Sequence, residues 1–254
     1  MTETLNHPND PPVAANSERL PLVVEDLTVR LKGFTLGPLT FALQPGQVTA
    51  LLGHNGAGKT TTMRLIMGLM RKDSGSVRLG TLTHNDEIPY RSRIGFVPEE
   101  AQYYGQLSVA ELVKFVSAFY PEWDASRCEK LKKMLALDFS KKIRHLSKGT
   151  RMKVSLLLAL TRDPALLLLD EPTSGLDPRS RAEVLQMIRS AAKTEGQAVL
   201  FSTHNLSEGE QVADHLLVVD HGRVIANESV TAAKSQLGPD GKWSLESYYL
   251  GLVQ

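Results

Sequence analysis

The run Gly53-His54-Asn55-Gly56-Ala57-Gly58-Lys59-Thr60 constrains this chain more than any other segment. The apolar residues Val48 to Leu52 lead into it and read as a strand, and a helix-like pattern follows from Lys59 to about Met70. A glycine-rich turn that leaves a strand and opens a helix satisfies GxxxxGK[ST] in the setting that motif needs. Gly56 and Gly58 let backbone N–H groups close around a compact anion without side-chain obstruction. The helix start adds unpaired amides and the positive end of a dipole. Lys59 supplies a full positive charge to the outer phosphates of a nucleotide, and the Thr60 hydroxyl suits Mg²⁺. Thr61 follows in the same first turn. The segment predicts phosphate binding on an α/β scaffold.

The rest of the chain agrees with that scaffold. Met1 to Arg19 is polar and contains Pro8, Pro11 and Pro12, which predicts a disordered tail without the apolar centre of a secretory signal. Leu22 to Leu31 and Leu39 to Leu43 alternate roughly in twos, as strands do, and Pro45-Gly46 marks a turn. Ser74-Gly75 reads as a break. From about Ser108 to Leu160 the spacing turns helical: Leu112, Phe115, Val116 and Phe119 share one face until Pro121, and Cys128, Leu131, Met134 and Leu135 mark another helix. Ala165 to Leu169 is fully apolar, as expected of a strand covered on both faces. Pro178 to Lys193 is predicted as a helix, with Asp177 as its N-cap and Gly196 beyond its end. Val199 to Ser202 and Leu216 to Asp220 are further buried strands, and His221-Gly222 is a hairpin turn before Arg223 to Ala226. The sum is an α/β domain with a mostly helical insert.

Composition sets limits on function. A 42% hydrophobic content in 254 residues is enough for a sizeable core. A net charge of +1 offers no electrostatic footprint for nucleic acid. The single cysteine, Cys128, excludes an internal disulfide and fits a reducing compartment. No apolar run approaches the length of a membrane span, so this sequence does not predict a pore.

Three other segments belong with the glycine-rich turn. Asp170-Glu171 follows the apolar strand, at the sheet edge where ligands bind in such folds. Asp170 suits Mg²⁺ binding and Glu171 suits polarising a water. Alone, such a pair more often serves a helix cap or an exposed turn. His204 follows the strand Val199 to Ser202 and can reach the same edge, although a lone histidine there also suits a surface or core position. Ser147-Lys148-Gly149 opens a helical run and forms a second anion-binding helix start.

Taken in order, these segments resemble the ABC ATPase family. Gly53 to Thr60 resembles its Walker A loop, and Leu168-Leu169-Asp170-Glu171 its Walker B strand with the catalytic glutamate. Leu146-Ser147-Lys148-Gly149-Thr150 is similar to the LSGGQ signature, Ser174-Gly175-Leu176-Asp177 to the D-loop, and Ser202-Thr203-His204 to the switch histidine. The resemblance implies a P-loop NTPase core over about residues 20–230, with a mostly parallel sheet, an antiparallel β subdomain near the N-terminus and a helical subdomain at about 100–160. A short segment, 231–254, is expected to pack on it. The resemblance also implies ATP and Mg²⁺ as ligands, with Glu171 and His204 catalytic and Gly53 to Thr61 around the ATP phosphates. Thr60, Asp170 and Glu99 would be near the metal, with Ser147, Lys148 and Gly149 serving the nucleotide of a second ATPase subunit and Asp177 in the D-loop.

The sequence departs from that pattern at particular positions. Lys148 and Thr150 replace glycine and glutamine of the signature. Glu99 stands at the position of the usual Q-loop glutamine. Leu31 stands where an adenine-stacking aromatic is expected, and Phe34 lies close enough to supply a ring. The runs Ile94 to Glu99 and Phe119 to Asp124, and the end Ser244 to Tyr249, look like the ABC-2 exporter-type group. That likeness implies a separate integral membrane subunit and a peripheral position on the cytoplasmic face of the membrane. Tyr103 and Tyr104 are candidates either for the core or for a groove that takes that subunit. The alternative is a non-transport ABC ATPase acting on DNA or ribosomes, but the single module, the absence of a sustained heptad run and the near-neutral charge argue against it. A P-loop kinase or GTPase-like switch would leave Leu146 to Thr150 and His204 without a role.

Overall fold

The computed structural model describes residues 19–235 and 243–253. Of the expected N-terminal tail, only Arg19 lies within that range. It is engaged rather than loose: its guanidinium donates to Asp163 Oδ1 at 3.0 Å and to the Pro164 carbonyl at 3.3 Å.

The chain opens with β1 (Leu22–Leu31), β2 (Phe34–Leu43) and β3 (Val48–Leu52), then enters α1 (Lys59–Ile66). Next come β4 (Ser74–Leu79), β5 (Leu82–Thr83), α2 (Glu87–Ser92) and β6 (Ile94–Val97). The helices α3 (Val109–Ser117), α4 (Ala125–Met134) and α5 (Lys148–Leu160) fill the stretch expected to be helical. After them the chain alternates: β7 (Leu166–Leu169), α6 (Pro178–Lys193), β8 (Ala198–Thr203) and α7 (Leu206–Val212). It finishes with β9 (His215–Asp220), β10 (Arg223–Ser229), α8 (Val230–Ser235) and α9 (Leu245–Leu252).

These strands form two sheets. One is antiparallel and four-stranded in the order β2-β1-β4-β5; the other is six-stranded in the order β10-β9-β3-β8-β7-β6. In the second, β9, β3, β8, β7 and β6 run parallel, and only β10 is antiparallel. This is the α/β class with an antiparallel sheet beside a mostly parallel one. The parallel strands are apolar on both faces because each face meets a different core. Leu167 and Leu169 of β7 face the core built with α5 and α6, whereas Leu166 and Leu168 face the core shared with α1 and the antiparallel sheet. Alternation along a strand delivers neighbours to opposite sides. Each fully buried leucine stabilises the fold by about 1.5–3 kcal/mol.

Some local expectations shift. The helix expected to reach Met70 ends at Ile66, before Gly68. Ser74-Gly75, expected as a break, begins β4 instead, with Ser74 opposite Thr28 of β1. The strand expected from Leu39 begins at Phe34 and contains Pro38, which an edge strand tolerates because its missing N–H is not needed in the ladder. The hairpin at His221-Gly222 forms with Asp220 paired to Arg223. Gly222, at φ 77°, is required there: a β-carbon would sit 2.1 Å from the Thr35 carbonyl oxygen. The final helix is seated by buried Leu245, by its N–H donating to Glu210 at 3.2 Å, and by the Tyr248 hydroxyl donating to Glu228 at 2.6 Å.

Candidate functional site

The parallel ladder brings several chain exits to one edge. Val97 pairs with Leu169, Leu169 with Phe201, and Thr203 with Leu52. The residues that follow each strand, Glu99, Asp170-Glu171, His204 and Gly53, therefore emerge at the same side of the sheet, where open α/β sheets bind ligands.

Gly53 to Gly58 forms the turn between β3 and α1, and the Ala57 N–H donates to the His54 carbonyl at 3.2 Å. Gly58 is at φ 112°, and a β-carbon there would press to 2.5 Å from Leu36 and 3.2 Å from the Phe34 ring. Only glycine fits, and Phe34 lies directly against the turn, while Leu31, its cross-strand partner on β1, is exposed. No side chain caps the first turn of α1. His54, Asn55 and Gly56 are exposed, Thr60 and Thr61 are half-buried, and Ala57 is buried.

Lys59 is the cation of this turn and is only 6% exposed. Its ammonium donates to the Gly53 carbonyl at 2.8 Å and the His54 carbonyl at 3.3 Å, and lies 3.4 Å from Glu171 Oε1. The other oxygen of that carboxylate, Oε2, is 2.9 Å from His204 Nδ1. Glu171 thus links the turn's lysine to the histidine that follows β8. Its backbone is left-handed at φ 47°, an unfavourable conformation for a residue with a β-carbon and one that recurs at functional sites.

One hydroxyl aligns the two carboxylates. Ser202 Oγ donates to Asp170 Oδ1 at 2.8 Å and accepts from the Glu171 N–H at 2.9 Å. The sequence places Ser202 at a strand end and in the Ser202-Thr203-His204 run, but its bonds to both acids depend on cross-strand neighbours that sequence does not display. A second missed residue is Glu208, 4% exposed. It accepts from Thr173 at 2.5 Å, Thr203 at 3.1 Å and Asn205 Nδ2 at 3.2 Å, and pairs with Arg181 at 3.3 Å. It therefore ties the turn after β7, the end of β8 and helix α6 together. Its position three residues after the N-cap Asn205 is a capping pattern visible in the sequence.

The other predicted residues gather elsewhere. Ser147 is the N-cap of α5, accepting from the Thr150 N–H at 3.1 Å. Gly149 packs against Ser180, and Lys148 lies against Gly175. Asp177 caps α6 through the N–H groups of Arg179 and Ser180, both at 3.1 Å. The Ser180 hydrogen bonds hold its carboxyl below the ordinary range. Glu99 is exposed and accepts from the Ser174 hydroxyl at 3.3 Å. Among the described residues, no hydrogen bond or ion pair joins Ser147, Lys148 or Gly149 to Gly53–Thr60. The chain thus carries two separate helix starts.

Glu99, Tyr103, Arg144, Lys148 and Arg151 line a cleft of about 550 Å³. Tyr103 is committed inward, its hydroxyl donating to Ser155 at 2.9 Å, and burial pushes its phenol up. Tyr104 is instead 68% exposed and stacks edge-on with Phe115, which in turn meets Phe119 at 5.2 Å. No helix of the described residues is long and apolar enough to cross a membrane.

Comparison with known proteins shows what the chain is similar to. The family model described as ABC transporter matches residues 36–174. The ABC-type transporter ATP-binding protein EcsA of Bacillus subtilis (strain 168) is 33% identical over 243 residues, covering 92% of this chain and 96% of that protein. The Nod factor export ATP-binding protein I of Cupriavidus metallidurans is 36% identical over 200 residues, covering 74% of this chain and 64% of its own length. A solved ATP-binding subunit of an ABC transporter superposes with a TM-score of 0.82 at 30% identity, covering 92% of this chain and 99% of that one.

Proposed function

The chain belongs to the ABC transporter family as an ATP-binding, ATP-hydrolysing subunit, and from that premise we propose which residues do the work and with whom. The observation that carries the reading is the line Lys59–Glu171–His204 at the edge where β3, β7 and β8 end. In it, a buried cation, a carboxylate and an imidazole stand where the terminal phosphate and its attacking water would meet.

The phosphates of ATP lie on the N–H groups of Gly53 to Thr61, which the uncapped start of α1 leaves available. Lys59 exchanges its bonds to the Gly53 and His54 carbonyls for bonds to the outer phosphates. Phe34, packed on the same turn, offers a face for the adenine. The donor set fits Mg²⁺: the Thr60 hydroxyl, the Asp170 carboxylate and, from the next strand end, Glu99 are hard oxygen ligands. When bound, the ion would neutralise charge on the outer phosphates. Glu171 accepts a proton from the attacking water, and His204, bonded to the same carboxylate, holds it in position.

Ser147, Lys148 and Gly149 present their helix start outward, and a second ATPase subunit, identical or different, would bring its nucleotide there. Asp177 would be at that contact. A two-fold pair uses both helix starts twice. The exposed rings of Tyr104, Phe115 and Phe119, beside the cleft at Glu99, suit a separate integral membrane subunit, since aromatic clusters anchor interfaces. That arrangement corresponds to a peripheral position on the cytoplasmic face of the membrane. Export is the favoured direction because relatives carry it in their names, including Nod factor export. The domain proposed to do this spans about 20–230, with the helical subdomain at about 100–160 and 231–254 packed on it.

The test is Glu171→Gln. It should keep ATP binding while phosphate release falls by about 10²–10⁴, and an ATP-bound dimer should accumulate on gel filtration. A fully active monomeric variant would refute the role.

A further inference from the structure

The end of β9 places a second set of donors beside the phosphate turn. Asp220 is its last residue, and His221 opens the hairpin that follows, at φ 44°. Across from them stands His54, the second residue of the turn after β3. His54 Nε2 lies 3.2 Å from Asp220 Oδ1, and His221 Nε2 lies 3.8 Å from Asp220 Oδ2. One donor atom from each of the three residues falls within a 4.8 Å span, and the two imidazole rings are 5.5 Å apart.

The hydrogen bonding of His54 gives this cluster its direction. Nδ1 lies 2.6 Å from the Asn55 carbonyl oxygen. A carbonyl has no proton to give, so Nδ1 carries one and donates it. The neutral ring then presents a lone pair at Nε2, and that lone pair faces a carboxylate oxygen. Two acceptors at this separation require a cation between them or a proton on Nε2. An imidazole fixed through Nδ1–H to a backbone carbonyl, with Nε2 free, is also the form in which histidine binds metals.

We propose that His54, Asp220 and His221 form a binding site for a first-row divalent transition-metal ion, of which Zn²⁺ is the best match. Two imidazole nitrogens and one carboxylate are the ligand chemistry of Zn²⁺ and its neighbours, and are foreign to Mg²⁺, which takes oxygen. Bond lengths of about 2.0–2.2 Å set tetrahedral ligands roughly 3.3 Å apart. His54 Nε2 lies 3.2 Å from one oxygen of Asp220 and His221 Nε2 lies 3.8 Å from the other, and with one ligand atom from each residue inside 4.8 Å the set is wider than that spacing and must close slightly around an ion. The His221 side chain is 87% exposed, so it is free to turn and complete the set, leaving a fourth position to solvent. The three ligands come from two chain segments, so the ion would join the phosphate turn to the β9–β10 hairpin.

The experiment uses the full chain, stripped with a chelator and free of nucleotide, so its outcome is independent of the ATP reading. Co²⁺ is titrated while its visible absorption is followed, and Zn²⁺ affinity is obtained by displacement. One saturable equivalent is expected, with His221→Ala and Asp220→Asn each weakening it at least about tenfold, and with millimolar Mg²⁺ failing to displace Co²⁺. Circular dichroism melts without metal check that both variants fold; the exposure of His221 makes its variant the safer of the two. Equal affinity in the wild type and His221→Ala, displacement by Mg²⁺, or no saturable binding would overturn the site and leave the three residues as an imidazolium–carboxylate pair with a histidine neighbour.

Discussion

The two helix starts, at α1 and α5, differ in how their first-turn amides are used. At α1 the residue before the helix is Gly58, no side chain caps it, and Lys59 behind it is nearly buried. At α5 the residue before the helix is Ser147, whose hydroxyl already accepts from the Thr150 N–H, and the serine is exposed. The first is a cradle with its own cation and its own acid within 3.4 Å. The second is a capped helix end with its cap serine on the surface. A bare, enclosed helix start can bind an anion unaided, whereas a capped and exposed one contributes only when another molecule brings the anion to it.

Substitutions can break that contrast in order of expected size. Lys59→Met keeps the buried aliphatic volume and removes the charge. Losing a charge-assisted bond of about 1.5–3 kcal/mol should weaken ATP about 10- to 100-fold, measured by equilibrium binding to the isolated chain. Unchanged affinity would mean that the cradle at α1 has been misassigned. Ser147→Ala should lower phosphate release while leaving the affinity of the isolated chain for ATP as it was. It should also cost about 1 kcal/mol through the lost cap, or about 2–4 °C in thermal unfolding. If it weakens ATP binding in the monomer, the two helix starts are not separate. Phe34→Ala is the smallest: the ring is half-exposed, which sets its stacking at the low end of about 1–3 kcal/mol per base, so ATP should weaken by only about fivefold while inorganic triphosphate binds as before. Equal losses for both ligands would place the ring's effect on the turn itself.

The contrast also explains what was legible in the sequence. The Gly53–Thr60 turn was readable because the function proposed for it depends on consecutive backbone atoms, which spacing encodes. Helix α6 was readable to its ends because its cap Asp177, its first-turn Pro178 and its apolar stripe are all local. Asp170 and Glu171 were visible as acids after an apolar run, but not as a pair joined by Ser202, because that bond crosses from β7 to β8. Strand β4 was missed because Ser74 and Gly75 are poor strand formers, and its pairing with β1 overrides their preference. The placement of Phe34 followed from Gly58 and Leu36, which only the folded chain brings together.

The Ser202 hydroxyl has a mechanical consequence. Because it bonds both the side chain of Asp170 and the main chain of Glu171, the two acids answer to β8 as one body. Any force that slides β8 along β7 would carry both together, and His204, two residues further along the same strand exit, would travel with them. A pull on the loop after β8 would therefore reach both carboxylates intact, without first loosening one acid from the other.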